Sequence, residues 1–259
     1  MGLLDKFKKT AQKPESVSEG GSAIYRYEDK EDDELGPPAS EPVYLREITE
    51  YFSSVFQDRE EYVFHEIISD FVHIDVHILR PTEEQNFYFV YTTGMSDLPM
   101  TMPEELSDRE DLKYAELYTF MPSNWNPGSG AQISSDLPES EYWIINILKY
   151  LARFPHAYNT WFAYGHTIPN GPDYAPLTPG TSMGGIVLSQ FGGKLEGFTT
   201  KDGTKINFLY VFPAYKEEIE YKLKYGMEEL DKIYTENDIT LTVDLHRPNY
   251  CKDFHEQLD

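Results

Sequence analysis

Two groups of side chains have residue types and spacing that could do chemistry. In the first group, His73, Asp75 and His77 alternate with apolar residues, so a β-strand would place all three on one face. Imidazole nitrogen and carboxylate oxygen are ligands that zinc and iron accept in proteins. Neighbours on one strand face lie about 6–7 Å apart, however, which is wide for three ligands of one ion. We therefore predict a polar sheet face in which the aspartate orients a histidine, and we keep a metal site at these three residues as the alternative.

The second group is formed by His166 and Asp97, which are far apart in the sequence. His166 lies in a loop with flexible residues on both sides, and a general base there would need a partner within hydrogen-bonding distance, such as the Ser96-Asp97 pair. A structural role is simpler for each. The histidine can bond a backbone carbonyl, and the Ser96-Asp97 pair after Gly94 can cap or close a strand. We predict no catalytic residue and no cofactor.

The charge of the chain restricts the class of partner. Of 259 residues, 45 are Asp or Glu and 22 are Lys or Arg, which gives a formal net charge of -23 at pH 7. A protein of this sign repels nucleic acid and attracts a basic protein. The sequence therefore predicts that nucleic acid is not a partner. The acidic charge either serves solubility alone or attracts a basic protein partner.

The cysteine content and the amino-terminal sequence indicate a cytoplasmic protein without a membrane span. Cys251 is the single cysteine, so no disulfide can form within the chain and nothing favours an oxidising compartment. The first residues lack the continuous apolar run of a signal peptide or a membrane-spanning helix. Residues 1–42 are poor in large apolar side chains and rich in acidic ones, and we expect them to form a flexible acidic tail.

A folded pattern follows this tail over residues 43–259, where helical and strand periodicity alternate. Helices are predicted at 45–56, at 140–155 with a cap at Ser140 and an end at Pro155, and at about 214–234. Strands are predicted at 71–79, 86–93, 114–121, 185–189, 195–199, 205–212 and 239–245, with a hairpin turn at 201–203. This order fits one α/β or α+β domain that has a mixed β-sheet and flanking helices.

Five short motifs, taken together and in this order, resemble those of the Suppressor of fused domain family over about residues 44–234. They read His73-Ile74-Asp75-Val76, Thr92-Thr93-Gly94-Met95-Ser96-Asp97, Glu116-Leu117-Tyr118, Leu151-Ala152-Arg153 and Gly165-His166-Thr167-Ile168-Pro169. The resemblance implies a single mixed-sheet domain similar to the amino-terminal domain of the animal protein, which binds and sequesters a transcription factor. For a bacterial, single-domain member it implies an immunity protein that neutralises a toxin.

The resemblance also implies a partner-binding cleft. Aromatic residues just after the helix motif correspond to Phe154 and Trp161, and the acidic residue that precedes the loop histidine in the animal protein corresponds to Gly165. This chain therefore departs from the animal relative at the acidic position, which disfavours binding of the same peptide. The residues predicted to bind a partner are Phe154, Trp161, Tyr164, Gly165, His166 and Asp97.

The function predicted on this basis is binding and sequestration of a protein partner without catalysis, most concretely neutralisation of a basic toxin domain by occlusion. The acidic surface could cover the active-site cleft of the toxin. An extended partner segment could instead add to a sheet edge beside Phe154, Trp161 and His166.

Two other functions stay open at the level of the sequence. One is a small hydrolase or metal-dependent enzyme, which would use His166 with Asp97 or a metal held by His73, Asp75 and His77. The other is a regulatory scaffold that binds a transcription factor, which the glycine at position 165 disfavours.

Overall fold

The computed structural model describes residues 12–27, 42–57, 59–65, 72–128 and 137–254. In chain order, its strands and α-helices are β1 (Ser16–Val17), β2 (Ala23–Ile24), α1 (Leu45–Phe56), β3 (Glu61–Phe64), β4 (Asp75–Leu79), β5 (Phe87–Thr93), β6 (Tyr114–Pro122), α2 (Glu139–Tyr158), β7 (Thr167–Pro169), β8 (Gly185–Ser189), β9 (Gly197–Thr199), β10 (Lys205–Ala214), α3 (Lys216–Tyr225) and α4 (Met227–Glu236).

Eight of the strands in these ranges form one mixed sheet. The strand order is β3-β4-β5-β6-β10-β8-β7, and β9 pairs with the start of β10. Hydrogen-bonded neighbours are antiparallel except β6 and β10, which run parallel at the centre with Leu117 opposite Leu209. A parallel pair needs a crossover connection, and α2 lies between these two strands in the chain. The mixed sheet with flanking helices that the sequence predicts is confirmed.

The two faces of the sheet carry different side chains because residues alternate along each strand. Aliphatic residues such as Val76, Val90 and Leu209 belong to one buried cluster with the apolar stripe of α2. Aromatic residues dominate the other face, where the Phe52 ring of α1 lies 4.5 Å from the Phe208 ring of β10, measured between centroids. The predicted helix at 45–56 and the predicted central strands thus bury their apolar residues as expected.

Helix α2 is longer than predicted at both ends. It spans Glu139–Tyr158 with Pro138 at the N-cap, so Ser140 lies inside the helix and is not its cap. Pro155 does not end the helix, because a proline removes only one helix hydrogen bond and the buried stripe of α2 outweighs that loss. The end comes at Asn159, which has a left-handed φ of 52° and bonds the Pro155 carbonyl through its N–H.

Two further sequence predictions are wrong in the last third of the chain. The segment 214–234 forms two helices, α3 and α4, because Gly226 interrupts it with a φ of 94°. Residues 239–245 form no strand, and only Thr242 makes a single bridge, to Phe120 of β6.

Among the helices in the described ranges, none combines the length and the apolar character needed to cross a lipid bilayer.

At the β3 edge of the sheet the structure also differs from the prediction. Strand β3 was not predicted, and β4 begins at Asp75, so His73 precedes the strand and does not belong to it. The segment 72–74 remains buried on its apolar side through Val72 and Ile74, which explains the alternation seen in the sequence.

Residues 12–27, predicted to belong to a flexible tail, contain the β1–β2 hairpin and pack on the domain. The Gly20 N–H bonds the Leu223 carbonyl at 2.8 Å, and Lys222 Nζ bonds Ser22 Oγ at 2.9 Å. A Cβ at position 20 would lie 2.8 Å from the backbone nitrogen of Gly226, so the close approach requires glycine. The expectation of a flexible tail is therefore wrong for residues 12–27, while residues 1–11 and 28–41 lie outside the described ranges.

A buried ion pair attaches the carboxyl-terminal segment to α3 and to the sheet. Arg247 Nη2 donates to Glu218 Oε2 at 2.6 Å and to the Pro213 carbonyl at 3.1 Å, and both charged side chains are buried. The guanidinium carbon lies 4.9 Å from the centroid of the Phe212 ring. The attachment thus combines charge, hydrogen bonding and packing on an aromatic ring.

We expect Arg247→Ala to lower the free energy of unfolding by about 3–5 kcal/mol, because the Glu218 carboxylate would stay buried without its partner. Arg46→Ala is the control, since Arg46 pairs with Glu50 at 2.7 Å while the two side chains are 86% and 52% exposed. Removing that pair should change stability little. Urea unfolding followed by tryptophan fluorescence measures both variants, and equal losses would contradict the prediction.

Candidate partner-binding surface

The aromatic residue predicted to anchor a partner at the end of α2 is covered. Phe154 is buried, and its ring centroid lies 4.5 Å from that of Tyr158, 5.1 Å from that of Tyr27 and 5.5 Å from that of Phe162. Tyr27 follows the β1–β2 hairpin, and its hydroxyl donates to Thr160 Oγ1 at 2.8 Å. A partner could reach Phe154 only after this segment moved.

The loop after α2 holds His166 as a neutral imidazole. Its ring lies nearly perpendicular to the Trp161 ring, with centroids 4.6 Å apart, and the side chain bonds the Trp161 backbone. Burial, together with the nearby charge of Lys222, lowers the pKa of His166 to about 4. This arrangement matches the predicted structural role of fixing the loop, and it makes the imidazole a weak base.

Asp97 binds the start of α1 and not His166. Its Oδ1 accepts the Val43 N–H at 2.8 Å. Burial raises the pKa of this carboxyl to about 6, although the backbone bonds from Val43 and Tyr44 and the nearby His73 oppose the rise. Within the described ranges no hydrogen bond or ion pair joins Asp97 to His166, so the geometry does not assemble the hydrolase site considered from the sequence.

Residues of two motifs, 92–97 and 116–118, meet at the buried carboxylate of Glu116, which was not among the predicted site residues. Oε1 of Glu116 accepts the Gly94 N–H at 3.0 Å, the Ser96 N–H at 2.9 Å and the Ser96 hydroxyl at 2.6 Å, while Oε2 accepts the Thr92 hydroxyl at 2.6 Å. Burial raises the pKa of Glu116 to about 7, although the bonds from Ser96 and Thr92 lower it, and the nearby charge of Asp97 adds to the rise. We call Glu116 and its three bonded residues, Thr92, Gly94 and Ser96, the Glu116 clamp. A glutamate inside an otherwise apolar strand was the sequence signal that could have revealed it.

The group of histidines and aspartate differs from the predicted one. Asp75 lies between His65 and His73, with its two oxygens 3.1 Å from His65 Nδ1 and 3.0 Å from His73 Nε2. His77 is not part of this group, because its ring nitrogens bond Glu61 Oε1 at 2.9 Å and a threonine hydroxyl of β5 at 3.0 Å. The three residues predicted as possible metal ligands, His73, Asp75 and His77, therefore do not come together. His65 lies beside Asp75 where His77 was expected.

A groove of about 460 Å³ opens beside the part of the loop that carries Tyr164. Tyr164 is 41% exposed, and its hydroxyl donates to the carboxylate of Asp231 in α4. Exposed Leu241 also lines the groove, and the rest of the lining comes from β8, β10, α4 and residues 190–191 and 239–240. The groove therefore offers apolar walls with a phenol and a carboxylate at its mouth.

The same groove lies where the pairing of β7 with β8 ends. The Gly165 N–H bonds the Leu188 carbonyl at 2.7 Å, and the Leu188 N–H bonds the His166 carbonyl at 2.8 Å, whereas Ser189 and Gln190 beyond them line the groove. Gly165 has a φ of 80°, a conformation that disfavours any side chain. This conformation gives a physical reason for the absence of the acidic residue from position 165.

The sequence and the fold are both similar to those of known proteins. The family model of the Suppressor of fused protein (SUFU) matches residues 70–248. No individually curated protein matches the chain.

Three solved structures share the fold. A protein assigned as a SUFU homologue from Neisseria gonorrhoeae FA 1090 is 15% identical with a TM-score of 0.58, and the match covers 80% of this chain and 96% of that one. A chain of the Sufu–Fu complex is 14% identical with a TM-score of 0.55, over 86% and 97% of the two chains. Drosophila Suppressor of Fused is 13% identical with a TM-score of 0.55, over 84% of this chain but only 53% of that one. At these identities the likeness concerns the fold.

We expect Glu116→Leu to lower the free energy of unfolding by about 3 kcal/mol or more, because the Gly94 and Ser96 donors would lose their acceptor in a buried site. Glu116→Gln should cost much less. Its carbonyl oxygen can accept from the same donors, and its amide can donate to Thr92. Urea unfolding compares the two variants, and equal losses would show that the clamp acts through packing alone.

The raised pKa of Glu116 should also make the stability of the protein depend on pH. The folded-state pKa of Glu116, about 7, lies above its usual value of 4.5, so the folded protein binds this proton more tightly than the unfolded chain does. The resulting stability is fully present below about pH 4.5 and is lost as the pH rises through about 7. Relative to Glu116→Gln, the wild-type free energy of unfolding should fall over this window by on the order of 3 kcal/mol. Parallel urea titrations from pH 4.5 to 8 measure the difference, and parallel curves would contradict it.

Proposed function

The chain belongs to the SUFU family, and we propose that it is a non-enzymatic module that binds and sequesters a protein partner. Most concretely, it acts as an immunity protein that neutralises a basic toxin domain in the cytoplasm by occluding it. Members of this family are non-enzymatic regulators, and one relative of the same fold was crystallised as the Sufu–Fu complex. Protein binding is therefore the activity most consistent with the fold.

The observation that carries the proposal is the groove at the end of the β7–β8 pairing. An extended partner segment entering here can continue the sheet beyond Leu188, which is a common mode of peptide recognition. Tyr164 lies at its mouth, and tyrosines at the centre of interfaces often contribute much of the binding energy. The groove lies close to the loop histidine, where the sequence predicts a contact. Of the aromatic residues predicted to bind a partner, we propose exposed Tyr164 as the main contact in place of buried Phe154.

Charge supports a basic partner. Asp231 at the mouth of the groove lies beside Glu228 and Glu236 on a face of α4 that also carries Lys232, so carboxylates outnumber the single ammonium there. The whole chain carries a net charge of -23. A basic toxin surface would be steered towards such a field and bound faster at low ionic strength. Toxins that cut nucleic acids need basic clefts for their substrates, so they fit this description.

The two enzyme sites considered from the sequence receive less support. In the first, His166 is a weak base beside Trp161, and Asp97 is engaged at the start of α1. In the second, His77 bonds Glu61 and Thr93 and does not join His73 and Asp75. A scaffold for a transcription factor also remains less favoured, because position 165 lacks the acidic side chain of the animal relative.

Neutralisation is tested in cells. Each gene adjacent to the gene of this chain is expressed under an inducible promoter, alone and together with the chain. We expect one neighbour to arrest growth, the chain to restore growth, and the two proteins to purify as a complex. Failure to restore growth, together with the absence of any complex, would overturn the proposal.

The groove is tested separately with the purified complex. Tyr164→Ala and Asp231→Lys should each weaken binding by about tenfold or more, because they remove the exposed anchor and reverse the charge at the mouth. Tyr225→Ala is the control, since this tyrosine is also exposed but lies on α3 against Tyr221 and Phe254, outside the groove. Biolayer interferometry at low and high salt measures affinity and association rate. Unchanged binding in both groove variants would move the contact elsewhere without contradicting neutralisation.

A further inference from the structure

We propose that His65, His73 and Asp75 form a binding site for one divalent transition-metal ion, with zinc as the preferred ion. The site joins the end of β3 to the segment that enters β4. It shares no residue with the groove described above, so it does not depend on the proposed function.

Strand pairing produces this set of ligands. Strands β3 and β4 are antiparallel with Phe64 opposite Val76, and continuing this register places His65 opposite Asp75. Side chains that face each other across two strands have Cβ atoms about 4.5–5.5 Å apart, compared with about 6–7 Å for neighbours along one strand face. The pairing therefore brings His65 closer to the carboxylate than the sequence spacing could bring His77.

The distances match the separation of ligands around a small ion. Asp75 oxygens lie 3.1 Å from His65 Nδ1 and 3.0 Å from His73 Nε2, and the ligand atoms of all three residues lie within 4.8 Å of one another. Ligands of a tetrahedral zinc ion, with bonds of about 2.0–2.1 Å, are separated by about 3.3 Å. Small side-chain rotations would therefore suffice to place an ion among the three groups.

Burial and exposure also suit a metal ion. The Asp75 side chain is 3% exposed, and a carboxylate in such surroundings is stabilised by a nearby positive charge. The His65 side chain is 68% exposed, which gives an ion a path from solvent and leaves a fourth position for water. Two imidazoles with one carboxylate suit zinc, cobalt or nickel, whereas magnesium and calcium prefer oxygen ligands.

His77 would not complete the site, although it lies two residues from Asp75 in the same strand. Both of its ring nitrogens are hydrogen-bonded, to Glu61 and to Thr93, and its ring stacks on Tyr91 with centroids 4.7 Å apart. It would have to leave three partners in order to reach an ion. The consequence of binding would be to link β3, an edge strand of four residues, to its neighbour, because an ion that binds only the folded state stabilises that state.

The test uses the full chain without an affinity tag, after treatment with EDTA and dialysis. Isothermal titration with Zn²⁺ at pH 7.5 should give one site per chain, and addition of Zn²⁺ should raise the Tm. Co²⁺ should give the visible absorption band of a tetrahedral site. His65→Ala is the main variant, since this exposed side chain can be removed without disturbing the core, and His73→Gln is the second.

We expect both variants to weaken Zn²⁺ binding by about tenfold or more and to lose the Co²⁺ band, while circular dichroism shows an unchanged fold. His246→Ala is the control, because it removes another exposed histidine outside the site. Absence of saturable one-to-one binding in the wild-type protein would overturn the proposal. Equal weakening by His65→Ala and His246→Ala would also overturn it, since binding would then be non-specific. Neither result would bear on the sequestration of a protein partner.

Discussion

The buried carboxylate of Glu116 holds the turn on which both helical layers of the domain depend. Its bonds to two backbone N–H groups fix the residues that follow β5. In this turn the Met95 carbonyl lies 2.8 Å from His156 Nε2 of α2. Two residues later, Asp97 accepts the Val43 N–H that precedes α1. One carboxylate therefore positions a short turn that contacts the helices on opposite faces of the sheet. Loss of its hydrogen bonds would disturb both the aliphatic cluster under α2 and the aromatic cluster under α1.

The motifs that resemble the family and the surface proposed to bind a partner are different parts of the molecule. Gly94 shows the structural character of the motifs, because it has a φ of 106° and a Cβ there would lie 1.9 Å from the His73 carbonyl oxygen. The groove, in contrast, depends on Tyr164, Asp231 and Leu241, none of which belongs to one of the five motifs. Motifs of this kind identify a framework, because buried contacts tolerate few substitutions. An exposed groove is under fewer packing constraints, so its residues carry no such family pattern.

Much of the secondary structure could be predicted because its cause is local. The run of apolar and aromatic residues over 86–93, which suits a strand covered on both faces, and the helical spacing over 45–56 follow from which side chains must be buried, and the structure agrees with both. The failures have tertiary causes. Pro155 stays inside α2 because the buried stripe of that helix outweighs one lost hydrogen bond. Residues 239–245 alternate like a strand but contribute only one bridge to the sheet. The segment around Tyr27 packs on α2 although its composition resembles that of a linker.

The sequence by itself determined the fold class, the family and the acidic character of the surface, because these depend on local periodicity, on motif order and on a count of charges. Only the tertiary structure decided which side chains meet. Asp97 and His166, which could have formed a catalytic pair, were separated by the anchoring of one to α1 and of the other to its own loop. His65 replaced His77 beside Asp75, because the pairing of β3 with β4 brings residues ten positions apart closer together than neighbours along one strand.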